Sequence, residues 1–178
     1  MKKTVLVFGL IAGLIVATMM LISVDHCVTT GDFEKGMIYG YTGMLVAFSM
    51  IFVGIKNYRD RYNHGIVSFG KAFKVGLFIV LIASTLYVIT WLFELHFFYP
   101  DFADRYAKIL VDKAKASGAN AEALSKAVAN GNSIKEAYKN PIIIILMTYV
   151  EIVPVGLIVA LIAAGILKRK KAKDIVVA

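Results

Sequence analysis

The sequence predicts an all-α fold: an integral membrane four-helix bundle with an extracytoplasmic helical hairpin between spans three and four. Two observations carry this reading. Of the 178 residues, 59% are hydrophobic and the mean hydropathy is +0.73, whereas a soluble domain is about half apolar. The apolar residues are also gathered into long stretches, and about 20 helical residues cross a hydrocarbon core about 30 Å thick. Helix satisfies its own backbone polar groups where no water can. The chain reads as one membrane domain, residues 1–178.

The first span is 4–24. Lys2 and Lys3 before it give it the look of a signal peptide, but its uncharged run exceeds the usual apolar core of about 7–15 residues. No small-residue cleavage pattern follows, so it is expected to stay as a span. The second span is 36–55, without a charge. The third is 75–98, uncharged as far as Phe93. The fourth is 141–167, interrupted only by Glu151.

Orientation follows the bias of lysine and arginine. The turn between the first two spans holds Asp25, Asp32, Glu34 and only Lys35. Bases cluster instead at Lys2 and Lys3, in the 56–74 loop, and at Lys168, Arg169, Lys170, Lys171 and Lys173. Both termini and the 56–74 loop are therefore expected in the cytoplasm of a bacterium, with the protein in its inner membrane. A net charge of +8 would suit nucleic-acid binding in a soluble protein. Here the bases flank apolar segments, where they meet anionic lipid headgroups. The lipid bilayer is the partner expected, not nucleic acid.

Within 56–74, Ile66, Phe69 and Phe73 recur at helical spacing. They fit either a short interfacial helix or the start of the third span. The outer segment 99–140 reads as two helices. Pro100 or Asp101 opens the first, whose apolar stripe is Phe102, Tyr106, Ile109 and Leu110. Gly118 stops it. Asn120 caps the second, which Gly131 should end. Ser133 to Glu136 has the pattern of a capping box leading into the fourth span. Trp91, Tyr99 and Tyr138 fit an interfacial aromatic belt.

The order of these features resembles a bacterial membrane-protein family of unknown function, DUF4199, common in Bacteroidota. The resemblance rests on Ile55-Lys-Asn-Tyr-Arg-Asp60, on Gly65-Ile-Val-Ser-Phe-Gly-Lys-Ala-Phe-Lys-Val-Gly76 and on Tyr87 in the third span. Pro100-Asp-Phe102, Glu151-Ile-Val-Pro-Val-Gly156 and the lysine-rich tail complete it. It implies a four-span inner-membrane protein and carries no activity with it.

Glu151 is the sharpest candidate for chemistry, because an ionisable group inside a membrane is costly and tends to be paired or functional. Pro154 removes the usual helical donor from the Val150 carbonyl, so a polar, kinked site is expected. It fits a proton or cation site with Glu94 as a second station, or a structural hydrogen bond between helices. Lys56, Arg59, Arg61, Lys71 and Lys74 are candidate contacts for lipid headgroups, or simply mark the cytoplasmic side. Asp25, His26, Cys27, Glu94 and His96 share one side of the membrane without a recognised metal-ligand pattern. Cys27 is the sole cysteine, so no internal disulfide forms. Small residues at four-residue spacing, Gly9/Gly13/Ala17, Gly36/Gly40 and Gly156/Ala160/Ala164, permit close helix approach within the chain or between copies.

Phosphate-binding, zinc-protease and nucleophile-elbow motifs are absent from the sequence. The leading expectation is therefore a non-enzymatic accessory or scaffold subunit, without metal or cofactor, that associates with a second copy or with other membrane subunits. The alternative is a small proton- or cation-coupled transporter or channel component using Glu151. A lipid-acting enzyme would need a polar cavity near 59–74.

Overall fold

The computed structural model describes residues 1–169; Lys170, Lys171 and Lys173 lie outside the described residues. Six helices occupy these residues: α1 (Lys2–Thr30), α2 (Phe33–Tyr62), α3 (Phe69–Phe97), α4 (Phe102–Ala116), α5 (Ala121–Tyr138) and α6 (Pro141–Leu167). Helices α1, α2, α3 and α6 are each long and apolar enough to cross a membrane.

Local chemistry sets the boundaries. Gly31, with φ 70°, ends α1 in the left-handed region, which costs glycine little. The Asp32 side chain accepts from the Lys35 N–H (3.1 Å) to open α2. Ser68 does the same for Lys71 at the start of α3, and Asn120 for Ala123 in α5 (2.9 Å). Asn140 accepts from Ile142 (2.9 Å), and Pro141 fills the first position of α6, where no amide donor is needed.

The helices outrun the apolar stretches. Helix α2 tightens at Ser49, runs past Ile55 and finishes in one wider π-type turn, Tyr58–Tyr62. The linker to α3 is thus only 63–68. The residues after it belong to α3 itself rather than to a separate interfacial helix. Two expectations for the hairpin fail. Gly131 does not end a helix and Ser133 does not cap one, because α5 runs unbroken to Tyr138. Gly131 instead lets α5 meet α4, since a Cβ there would stand 3.0 Å from Ala107 Cβ. The Ser133 hydroxyl turns back to donate to the Ala129 carbonyl (3.0 Å). Asn140 supplies the cap that Ser133 was expected to provide.

Helix α3 is central, packed against α1 on one side and α6 on the other, while α2 lies against α1. The core between them holds Phe48, Ile51 and Ile55 of α2, Ile79 and Val80 of α3, and Ile152 of α6, all fully buried. Small residues set the spacing. A Cβ on Gly9 would fall 2.9 Å from Ile82, on Gly13 directly against Leu86, and on Gly156 2.6 Å from Val80. Ala160 and Ala164 are fully buried. These close approaches are made inside the chain. Thr85 and Tyr149 hydroxyls join α3 to α6 (2.9 Å). The bundle's outer face is apolar, with Leu14, Val150 and Ile166 each more than 60% exposed, the pattern of helices solvated by lipid tails.

The described chain ends lie together. Phe8 of α1 packs near Gly54 of α2, and Val67 pairs with Arg169 as a short antiparallel bridge (2.8 and 3.1 Å). The α4–α5 hairpin caps the other end.

Candidate functional site

The hairpin is held over the bundle by aromatic edges. Phe33, opening α2, meets Tyr106 of α4 at a centroid distance of 4.9 Å. Trp91 of α3 meets Phe102 edge-on at 4.9 Å. Phe102 in turn stacks on Tyr138 of α5 at 5.8 Å. Such pairs favour edge-to-face or offset geometry. Asp104 and Lys135 tie α4 to α5 at 2.7 Å.

Beneath this lid is a cavity of about 400 Å³ to which all six helices contribute. Its back wall is buried: Ser23 and Cys27 of α1, Tyr87 and Trp91 of α3, and Ile144 and Thr148 of α6. Its front carries the exposed residues Met37 and Tyr41 of α2 and Met147 and Glu151 of α6. The mouth therefore lies between α2 and α6 and faces sideways, along the apolar exterior. Glu151 stands ten residues into α6, roughly 15 Å along its axis at 1.5 Å per residue.

Two of the lining hydroxyls are already committed. Ser23 donates to the Gly36 carbonyl (2.6 Å) and Thr148 to the Ile144 carbonyl (2.8 Å). The lining includes one carboxylate, Glu151, and no Lys, Arg or His. The Tyr138 phenol is pushed up to about 12 by burial, with the charge of nearby Glu151 adding to the effect. It remains a neutral donor at any physiological pH.

Pro154 lies one turn beyond Glu151 on the exposed face, and α6 runs on past it to Leu167. Glu94 does not join Glu151 in the cavity lining. It is 2% exposed, one turn beyond Trp91, and its Oε2 has no hydrogen-bond partner. Nearby, Tyr99 donates to Asp25 (3.1 Å) and His26 meets Tyr39 edge-on. No cluster of three or more His, Cys, Asp or Glu suited to a metal occurs among the described residues.

At the opposite end, Arg59 is turned inward. Its guanidinium donates to Asp60 (2.7 and 3.2 Å) and to the last carbonyl of α6, Leu167 (3.4 Å). It caps a helix C-terminus, where a cation is favoured. Lys56, Arg61, Lys71 and Lys74 are exposed and make no ion pair among the described residues.

Sequence reasoning missed the cavity as a unit. Trp91 and Tyr138 read as belt residues, and Tyr87 as part of a span. The usable signal was spacing: Tyr87, Trp91 and Glu94 share a face of α3, and Thr148 and Glu151 share one of α6.

Fold and site define an all-α protein of four helices able to cross a membrane, with a side-opening cavity under a helical lid. The sequence model of a family described as a protein of unknown function, DUF4199, matches residues 7–169. The chain belongs to that family. No curated protein and no solved structure matches it.

Proposed function

We propose that this is a multi-pass protein of the bacterial inner membrane, with both termini and the 63–68 linker in the cytoplasm and the α4–α5 hairpin outside. It acts by binding rather than catalysis, as an accessory subunit. The observation that carries this is the division of charge and structure between the two ends. The end holding the described chain termini has Lys2, Lys3, Lys56, Arg61, Lys71, Lys74, Lys168 and Arg169 around one acid, Asp60. The other has an acidic α1–α2 turn, a hairpin segment, 99–140, in which seven bases stand beside five acids, and a lidded, aromatic-lined cavity without a nucleophile and base in contact. The first pattern supports the orientation; the second supports recognition of a partner or ligand.

Reporter tags should place both termini in the cytoplasm and an insertion after Gly118 outside. Mild-detergent capture of the tagged chain should recover a reproducible membrane partner or a second copy. Opposite placement of the termini, or no reproducible partner under several conditions, rejects the proposal.

A specific observation favours a second reading: Glu151 faces the cavity, not a neighbouring hydroxyl. A proton- or cation-coupled pathway follows if flux through proteoliposomes is lost in Glu151→Gln. Flux unchanged by that substitution, or absent from the parent, removes it.

A further inference from the structure

The cavity departs furthest from what packing requires. Glycine and alanine bring helices into contact along the bundle, Gly36 and Cys27 beside this space included, yet here six helices surround about 400 Å³, a volume typical of small-molecule sites. A carboxylate in such surroundings needs an opposite charge or a proton. The chain supplies no cation, because the lining contains no Lys, Arg or His. It does supply aromatic rings: Tyr41, Tyr87, Trp91, Tyr106 and Tyr138 line the same space. Ring faces attract a cation, most strongly when water is excluded, and quaternary ammonium groups are recognised in this way.

We propose that the cavity binds a lipophilic organic monocation, an amine or quaternary ammonium. Its charge sits between the Glu151 carboxylate and the aromatic wall, and its apolar part lies against Met20, Met37 and Met147. An inorganic cation is less well served, since magnesium and calcium take six or more oxygens and the lining has few that are uncommitted. An anionic headgroup would meet no base. The sideways mouth and the apolar bundle exterior favour access from the lipid phase, which selects a ligand with a greasy body. The inference rests on the membrane reading above, which the tag experiment tests separately. Correct tag placement without ligand binding would therefore reject the inference alone.

Trp91 is the single tryptophan of the chain and lines the cavity, so its fluorescence reports on this site with excitation chosen to avoid tyrosine. The full chain in a nonionic maltoside micelle is titrated with phenethyltrimethylammonium. A parallel titration uses the uncharged isostere that has a quaternary carbon in place of the nitrogen, and partition into protein-free micelles is subtracted. The expected result is a saturable Trp91 response to the ammonium, with the isostere at least about tenfold weaker, a gap of about 1.4 kcal/mol. Glu151→Gln should close that gap while leaving the isostere's binding unchanged. Equal binding of the two compounds, no saturable response to the ammonium, or undiminished ammonium affinity in Glu151→Gln overturns the proposal. Should the variant fail to fold, the comparison of the two compounds on the parent chain still decides.

Discussion

The two ends of this bundle are built on opposite principles. Around the chain termini several glycines close the gaps between helices. Gly54 meets Ile79, Gly76 meets Ala160 and Gly156 meets Val80 and Phe48. The end is sealed by the Val67–Arg169 bridge and by Arg59 on the Leu167 carbonyl. Around the hairpin aromatic rings line an open space, and Glu94 Oε2 and His26 Nε2 lack a hydrogen-bond partner, as Thr4 Oγ1 does at the other end. In lipid the hydrophobic effect gives helices little reason to associate, so packing and interhelical hydrogen bonds would hold a membrane-spanning bundle. The packed end supplies those contacts. The hairpin end keeps some of them, with Gly36 against Cys27 and the Ser23 hydroxyl on the Gly36 carbonyl, but leaves a space lined by α2 and α6, which is where a binding site can exist.

The sharpest way to break this contrast is to overpack the sealed end. Gly156→Val places branched carbons where one Cβ already comes within 2.6 Å of Val80. It should cost about 3 kcal/mol, at the upper end of overpacking penalties, or abolish folding. Gly165→Ala meets nothing within 4 Å and should be close to neutral. Thermal unfolding in detergent compares the two, and equal effects would show that the sealed end is not tightly packed.

Next in size, the hairpin end should gain stability when an orphan is removed. Glu94→Met replaces a buried carboxylate whose Oε2 lacks a partner with an apolar chain of similar length. Leaving such a group unsatisfied costs about 1–3 kcal/mol, so the variant should melt higher by a comparable margin. A clear loss of stability would mean that Glu94 is satisfied in a way the geometry does not show. Arg59→Ala at the sealed end should cost about 1 kcal/mol through the lost hydrogen bonds, measured in the same assay.

The smallest effects are on pH. The Tyr138 phenol is raised above its ordinary 10.0 to about 12 in the folded chain. Its contribution is complete below pH 10 and is lost as pH rises toward 12. Tyr138→Phe should flatten alkaline unfolding in that window. The Lys35 N–H, with the Lys35 ammonium beside it, holds the Asp32 carboxylate below its usual range. That contribution is present above the ordinary aspartate range and fades as pH falls through and below it. Asp32→Ala should remove this acid-side slope and leave the alkaline side alone.

The four apolar stretches were legible because uncharged runs and their length are one-dimensional properties, as were the cap at Asn120 and the stop at Gly118, whereas the Gly31 stop and the Asp32 cap were found only in the structure. The failures at Gly131 and Ser133 share one cause. Both residue types serve helix ends and also helix contacts or back-bonding, and only the neighbour across the gap, Ala107 for Gly131, says which. Glu151 was legible as a costly group in a span. Its relation to Glu94 was not, because two helix faces must be set side by side to show that one acid lines the cavity while the other is buried outside its lining.

From the sequence alone follow the number of stretches long and apolar enough to cross a membrane, and the distribution of charge along the chain. These depend only on which residues are neighbours along the chain. Whether a glycine closes a gap or ends a helix, which way Arg59 turns, and the existence of a space beneath the hairpin were decided in three dimensions. Each depends on residues far apart in sequence reaching contact distance, or stopping short of it.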